Sequence, residues 1–304
     1  MKIGIALGGG GIRGIAHLGV LKAIYDAGKK HLMPTIIAGT SVGALVGALY
    51  ASGMEIDLLI KAAKKINWFK DIIDIRSTLF HLLSSVKNGI ISNERVRSFV
   101  NEKISQKKFD ELPFDLAIIA TEIEKRERII FTTKKIKSQL NYNHLTKIKD
   151  DATHNIPKFY DRIITDIDDV GLAVQASTTL PGVFKYMMLD KLKIVDGGMV
   201  NQVPVDICRA MGADIVIGVS LGMTDFCYNI KNSFEAFSNM IDILAVHEIQ
   251  TSLSHADIGF QVKNIEEKSI FHTSDIEGLI NMGKNAMQPY IKKLIRLSKP
   301  FFLF

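Results

Sequence analysis

Gly39-Thr40-Ser41-Val42-Gly43 constrains this chain more than any other stretch. It follows the short apolar run Thr35-Ile36-Ile37-Ala38. It precedes Ala44-Leu45-Val46-Gly47-Ala48-Leu49-Tyr50-Ala51, small apolar residues of helical character that stop at Gly53. A strand, a sharp turn with serine at its apex and a helix make a nucleophile elbow. The turn lifts the hydroxyl off the sheet, and the helix N-terminus directs its free N–H groups toward the reacting centre. Gly39 and Gly43 leave room on either side, where a Cβ would meet neighbouring backbone or substrate.

A second glycine loop stands earlier. Residues 2–7 are apolar enough for a buried parallel strand. Gly8-Gly9-Gly10-Gly11-Ile12-Arg13-Gly14 follows, then a helix expected from about Ile15 to Ala27. A glycine loop between strand and helix forms a nest of N–H groups suited to negative charge. Gly9 to Gly14 also fits the dinucleotide fingerprint G-x-G-x-x-G. That fingerprint requires an acidic residue at the end of the next strand. Here that strand ends in Gly39-Thr40-Ser41, with no carboxylate, and no Gly-Lys-Ser/Thr follows to make a phosphate loop. An oxyanion hole built from Gly9, Gly10 and Gly11 beside Ser41 accounts for both loops together. Arg13 suits either steadying this loop or attracting an anionic head group, and the structural role is preferred.

Further along, residues 54–110 have a helical, variably amphipathic pattern. Ser92-Asn93-Glu94 reads as a capped helix start. Trp68-Phe69, flanked by lysines, suits a membrane interface or a core-facing pair, and the core reading is favoured. Phe114–Thr121 reads as a buried strand, with Arg128–Thr132 as its hairpin partner. Lys134 to about Thr165 is polar and lysine-rich, and suits a lid, an anionic-lipid contact or an insertion without function. A helix over Leu172–Ser177 then leads to Lys193-Ile194-Val195-Asp196-Gly197-Gly198. This strand ends in a carboxylate, on the same edge as Ser41 if the sheet is parallel. Another helix starts at Pro204, a strand spans Ala213–Ser220, and a long helix runs from about Phe234 to His255. A short strand at Ile258–Val262 and a last helix from Ile276 to Leu297 complete the reading.

Composition narrows the classes. A chain of 304 residues with 47% hydrophobic residues can bury a large core. Two cysteines, Cys208 and Cys227, make neither a disulfide framework nor a metal pattern. The sequence is expected to lack a signal peptide and a membrane span, which places the protein in the cytoplasm. A net charge of +6 favours anionic surfaces. Peripheral contact with an anionic inner membrane face is the corresponding expectation. No nucleic-acid partner, metal or cofactor is expected, and oligomeric state is open.

With both glycine loops and the Asp-Gly-Gly turn in view, the chain resembles the patatin-like phospholipases, especially the short bacterial members. Gly9–Gly14 resembles their oxyanion loop, with Arg13 and Gly14 in support. Gly39–Gly43 resembles their elbow, and Asp196-Gly197-Gly198 their aspartate turn. Ala176–Phe184 looks like the segment preceding that turn. Val200-Asn201-Gln202-Val203-Pro204 continues it, with Gln202 where asparagine is more usual. The match covers nearly the whole chain as one domain, except the basic insertion at about 134–165. It implies an α/β fold, a three-layer α/β/α sandwich with a mostly parallel central sheet. It also implies a Ser41–Asp196 catalytic dyad. The residue order agrees, because Ser41 follows only the second strand. No loop-borne histidine follows Asp196: His247, His255 and His272 lie on a helix or in polar surroundings.

The function expected is a serine acyl hydrolase of phospholipids or other acyl esters. A soluble-substrate carboxylesterase or thioesterase is the alternative within enzymes. A lipid-binding adaptor with weak turnover is the alternative outside them.

Overall fold

The computed structural model describes residues 1–65, 92–140, 160–221, 233–263, 265 and 275–299. Its centre is a nine-stranded sheet with the path β5-β4-β3-β2-β1-β8-β9. These are β1 (Ile3–Leu7), β2 (Ile36–Thr40), β3 (Asp115–Glu122), β4 (Glu127–Phe131) and β5 (Tyr160–Ile164). They are followed by β6 (Met187–Leu189), β7 (Leu192–Asp196), β8 (Ile215–Ser220) and β9 (Ile258–Gln261). Neighbours β2–β1, β1–β8, β8–β9, β2–β3 and β4–β5 are parallel, and β3–β4, β3–β7 and β6–β7 are antiparallel.

Successive side chains of a strand point to opposite faces, and a sheet covered on both faces must be apolar on both. The strands obey this. Ile5, Leu7, Ile37, Leu116, Ile118, Ile217 and Val219 join one core. Their immediate neighbours Ala6, Ile36, Ala38, Ala117, Ile119 and Val216 join a second. The first core is closed by α1 (Ala16–Asp26), α2 (Val42–Ala51), α3 (Ile56–Lys65) and helices Glu94–Lys103, Val170–Ser177 and Ile276–Met287. The second is closed by helix Val205–Ala210 and by Ala245 and Ile249 of the long helix Ser233–Ser254. The result is the expected three-layer sandwich.

Several expectations are corrected. Residues 11–15 form a 3-10 turn that the sequence reading did not distinguish from the helix following it, α1. The last helix breaks into Ile276–Met287 and Ile291–Leu297 around a 3-10 turn holding Pro289, whose missing N–H interrupts the ladder. The expected insertion at 134–165 is in part regular. Helix Lys134–Gln139 is capped by the Thr133 side chain, and Tyr160–Ile164 forms edge strand β5. Helix Glu94–Lys103 starts where expected, but Asn93 does not cap it. Trp68-Phe69, the middle of the basic segment (141–159), Cys227, His272 and Phe301–Phe304 lie outside the described residues.

Candidate active site

Two strand ends meet on one edge of β3. β2 pairs with β3 as far as Thr40 opposite Ile119. β4 occupies the other side of β3, so the side that β2 vacates is free from Ala120 onward. β7 enters there antiparallel, with Asp196 opposite Ala120. Asp196 therefore reaches Ser41 because its strand runs against β3, not because it is parallel to β2 as the sequence reading supposed.

Ser41 has φ 54 and ψ −126, an uncommon conformation for a residue with a side chain. Such geometry typically costs about 1–3 kcal/mol and persists only when its surroundings enforce it. Ser177 is one enforcer: its Oγ accepts the Ser41 N–H at 2.8 Å and donates to the Ile119 carbonyl. Gly43 is another, since a Cβ there would stand 2.1 Å from the Leu7 carbonyl oxygen. On Gly39 a Cβ would stand 2.6 Å from the Gly43 carbonyl oxygen. The half-buried Ser41 donates its Oγ–H to Asp196 Oδ2 at 2.5 Å.

Asp196 is 4% exposed. Burial pushes its carboxyl up to about 6, against hydrogen bonds from Ser41 and the Gly198 N–H that favour the charged form. The Gly198 N–H reaches Oδ1 at 2.8 Å. The backbone of Asp196 is fixed too: its N–H donates to the Thr179 carbonyl at 2.8 Å and its carbonyl accepts from Thr121 Oγ1 at 2.9 Å. Gly197 packs against the Ile119 carbonyl, where a Cβ would stand 2.3 Å away.

The first glycine loop lies against the same centre. A carbon placed on Gly9 would stand 3.3 Å from Ser41 Cβ, and one on Gly14 would stand 2.1 Å from Val42 Cγ1. The peptide joining Gly8 to Gly9 is pinned from both sides. His17 Nε2 donates to the Gly8 carbonyl at 2.8 Å, and the Gly9 N–H donates to the Gln202 carbonyl at 3.3 Å. The Gly9 N–H is thus already engaged. Gly10 (φ 155) and Gly11 (φ 59) turn the chain into the 3-10 segment, whose leading N–H groups have no partner within that segment. Arg13 is 4% exposed, so it does not face a head group at the surface.

The sequence reading missed four contributors. His17 is fully buried, and burial lowers it to about 4, which keeps it neutral at pH 7. Only its position as the second residue of α1, directly after the loop, could have marked it. Asn93 donates to the Gln175 carbonyl (2.9 Å) and Thr179 Oγ1 (3.0 Å), which steadies the segment behind Ser177 and Thr179. Asn201 accepts from Thr40 Oγ1 at 2.8 Å through its carbonyl. Glu248, on the long helix, accepts the Gln202 N–H at 3.0 Å. His247 is exposed, and His255 Nδ1 lies 2.7 Å from the Thr251 carbonyl. Among the described residues no histidine bonds to Ser41 or Asp196.

Fold and site together define an α/β sandwich that holds a serine–carboxylate pair where two strand ends meet. A family model described as patatin-like phospholipase matches residues 5–209, which include both glycine loops and the Asp196 turn. The chain belongs to the patatin-like phospholipase family. It is 25% identical over 268 residues to rat patatin-like phospholipase domain-containing protein 7, covering 83% of this chain and 17% of that protein. It is 27% identical over 225 residues to human patatin-like phospholipase domain-containing protein 6, covering 73% and 14%. An NTE family protein of Mycobacterium bovis is 25% identical over 222 residues, covering 72% and 49%. The chain thus spans less than half the length of each. Among solved structures, VipD of Legionella pneumophila superposes with a TM-score of 0.50 at 16% identity, covering 96% of this chain and 66% of that one.

Proposed function

We propose that the protein is a serine lipid acyl hydrolase that cleaves carboxylic esters of phospholipids through Ser41 and Asp196. The observation that carries this reading is the 2.5 Å Ser41–Asp196 hydrogen bond at a strained elbow. Family membership supports lipid esters as the substrate class.

Asp196 takes the Ser41 proton as Oγ attacks the ester carbonyl carbon. The carbonyl π pair moves onto oxygen, and the resulting oxyanion lies against the Gly10 and Gly11 N–H groups. The positive end of α2 adds to the attraction. Collapse breaks the ester C–O bond, and the departing alkoxide takes the proton from Asp196. Water then gives a proton to Asp196 and attacks the acyl-enzyme, and Ser41 leaves with that proton. A carboxyl raised to about 6 suits this shuttle, since it is ionised at pH 7 yet basic enough to accept a proton. The net charge of +6 would draw the protein to anionic lipid surfaces.

The test is fatty-acid release from phospholipid vesicles by wild type and Ser41→Ala. Release by the wild type alone is expected. Equal release by both proteins would refute Ser41 as nucleophile.

A further inference from the structure

Gln202 lies just beyond the Asp196 turn, and no step above uses its side chain. Its backbone is held at both ends, the carbonyl by the Gly9 N–H and the N–H by Glu248. The residue is 6% exposed, and its Oε1 is buried with no hydrogen-bond partner among the described residues. A buried unpaired acceptor costs roughly 1–3 kcal/mol, so its retention calls for a reason.

Its position supplies one. A carbon placed on Gly9 would stand 2.8 Å from Gln202 Oε1 and 3.3 Å from Ser41 Cβ. A carbon placed on Gly198 would stand 2.5 Å from the same oxygen and 3.2 Å from Asp196 Oδ1. The carboxamide oxygen therefore lies between the oxyanion loop and the aspartate turn, within about 6 Å of Ser41 Cβ and of Asp196 Oδ1. Half a turn about its terminal bond exchanges oxygen for the NH₂ group. An oxygen with no partner holds no hydrogen bond against that rotation.

We infer that Gln202 donates Nε2–H to the oxyanion formed on Ser41. It replaces the Gly9 N–H, which the Gln202 carbonyl already engages. The inference rests on the serine hydrolase reading above. A side-chain amide in such a place is worth about 10²–10³ in turnover.

The test compares wild type with Gln202→Leu, an apolar side chain of similar bulk. Three quantities are measured: ester turnover, inhibition by a long-chain trifluoromethyl ketone, and inhibition by the chain-matched alcohol. The ketone adds to Ser41 and makes a charged tetrahedral adduct, whereas the alcohol cannot. The expected result is a fall of about 10² in kcat with little change in KM. Ketone affinity should fall by a similar factor while alcohol affinity holds. Equal weakening of both inhibitors, or turnover within about twofold of wild type, would overturn the donor role. If the variant does not fold, the side-chain amide resonance of Gln202 in ¹⁵N-labelled wild type decides. It should shift on ketone addition, and an unmoved resonance would overturn the inference. A wild type that neither hydrolyses esters nor adds the ketone would overturn the underlying reading, and this inference with it.

Discussion

Thr40 and Asp196 are consecutive partners along one edge of β3, opposite Ile119 and Ala120. They are the last residues of β2 and β7, which approach from opposite directions. The residue after Thr40 is Ser41, so the register of β3 alone brings hydroxyl and carboxylate together from distant parts of the chain. Asn201 reinforces the join by accepting from Thr40 Oγ1.

The first consequence concerns pH. In the proposed mechanism Asp196 must be ionised to accept the Ser41 proton, and burial raises it to about 6. The kcat/KM profile should climb tenfold per pH unit below about 6 and level off above it. A profile already flat from pH 4 upward would exclude Asp196 as the base.

The same burial makes Asp196 costly to the fold once it is ionised. Its folded value lies above its unfolded one of 3.8, so the folded state binds more protons between them. The associated stability is fully present below 3.8 and is lost as pH rises through about 6. Asp196→Asn, which cannot ionise, should therefore be more stable than wild type at pH 8, by on the order of 3 kcal/mol at most. Urea unfolding at pH 8 and pH 4 checks this. The difference between the two proteins should shrink at the lower pH, and a constant difference would contradict the linkage.

The elbow, both glycine loops and the strand bearing Asp196 were legible in sequence because each is local. Apolar runs and glycines at fixed offsets report strand, turn and helix directly. The antiparallel entry of β7 was not legible, because direction depends on which side of β3 is vacant. His17, Asn93 and Glu248 were hidden for a related reason. Each acts through hydrogen bonds to groups outside its own helix, and neither periodicity nor composition registers such contacts. Strand β5 was obscured by a lysine-rich stretch and by its place at the sheet edge.

Ser177 offers a test of how the elbow is held. Ser177→Ala leaves the Ser41 N–H without its acceptor in a strained turn. A loss of about 1–3 kcal/mol in stability is expected, with a drop in turnover larger than any change in KM. Unchanged turnover would show that the turn holds itself.

Arg128 tests the outer half of the sheet. It bonds Asp161 on β5 at 2.8 Å and Asp206 at 2.6 Å, all three side chains being buried or nearly so. Arg128→Met would remove the cation that both carboxylates face, and a loss of about 3–5 kcal/mol is expected. The urea midpoint should fall with little change in slope. A midpoint equal to that of wild type would mean the network is dispensable.

Ser41 as an activated nucleophile is tested most directly by intact-protein mass spectrometry after treatment with a fluorophosphonate. Wild type, Ser41→Ala and Asp196→Asn should be compared as folded proteins. Phosphonylation displaces fluoride from phosphorus as Ser41 Oγ bonds to it, so one adduct should form on wild type. None should form on Ser41→Ala, and labelling of Asp196→Asn should be strongly slowed. An adduct that persists on Ser41→Ala, or forms equally fast on Asp196→Asn, would contradict the dyad.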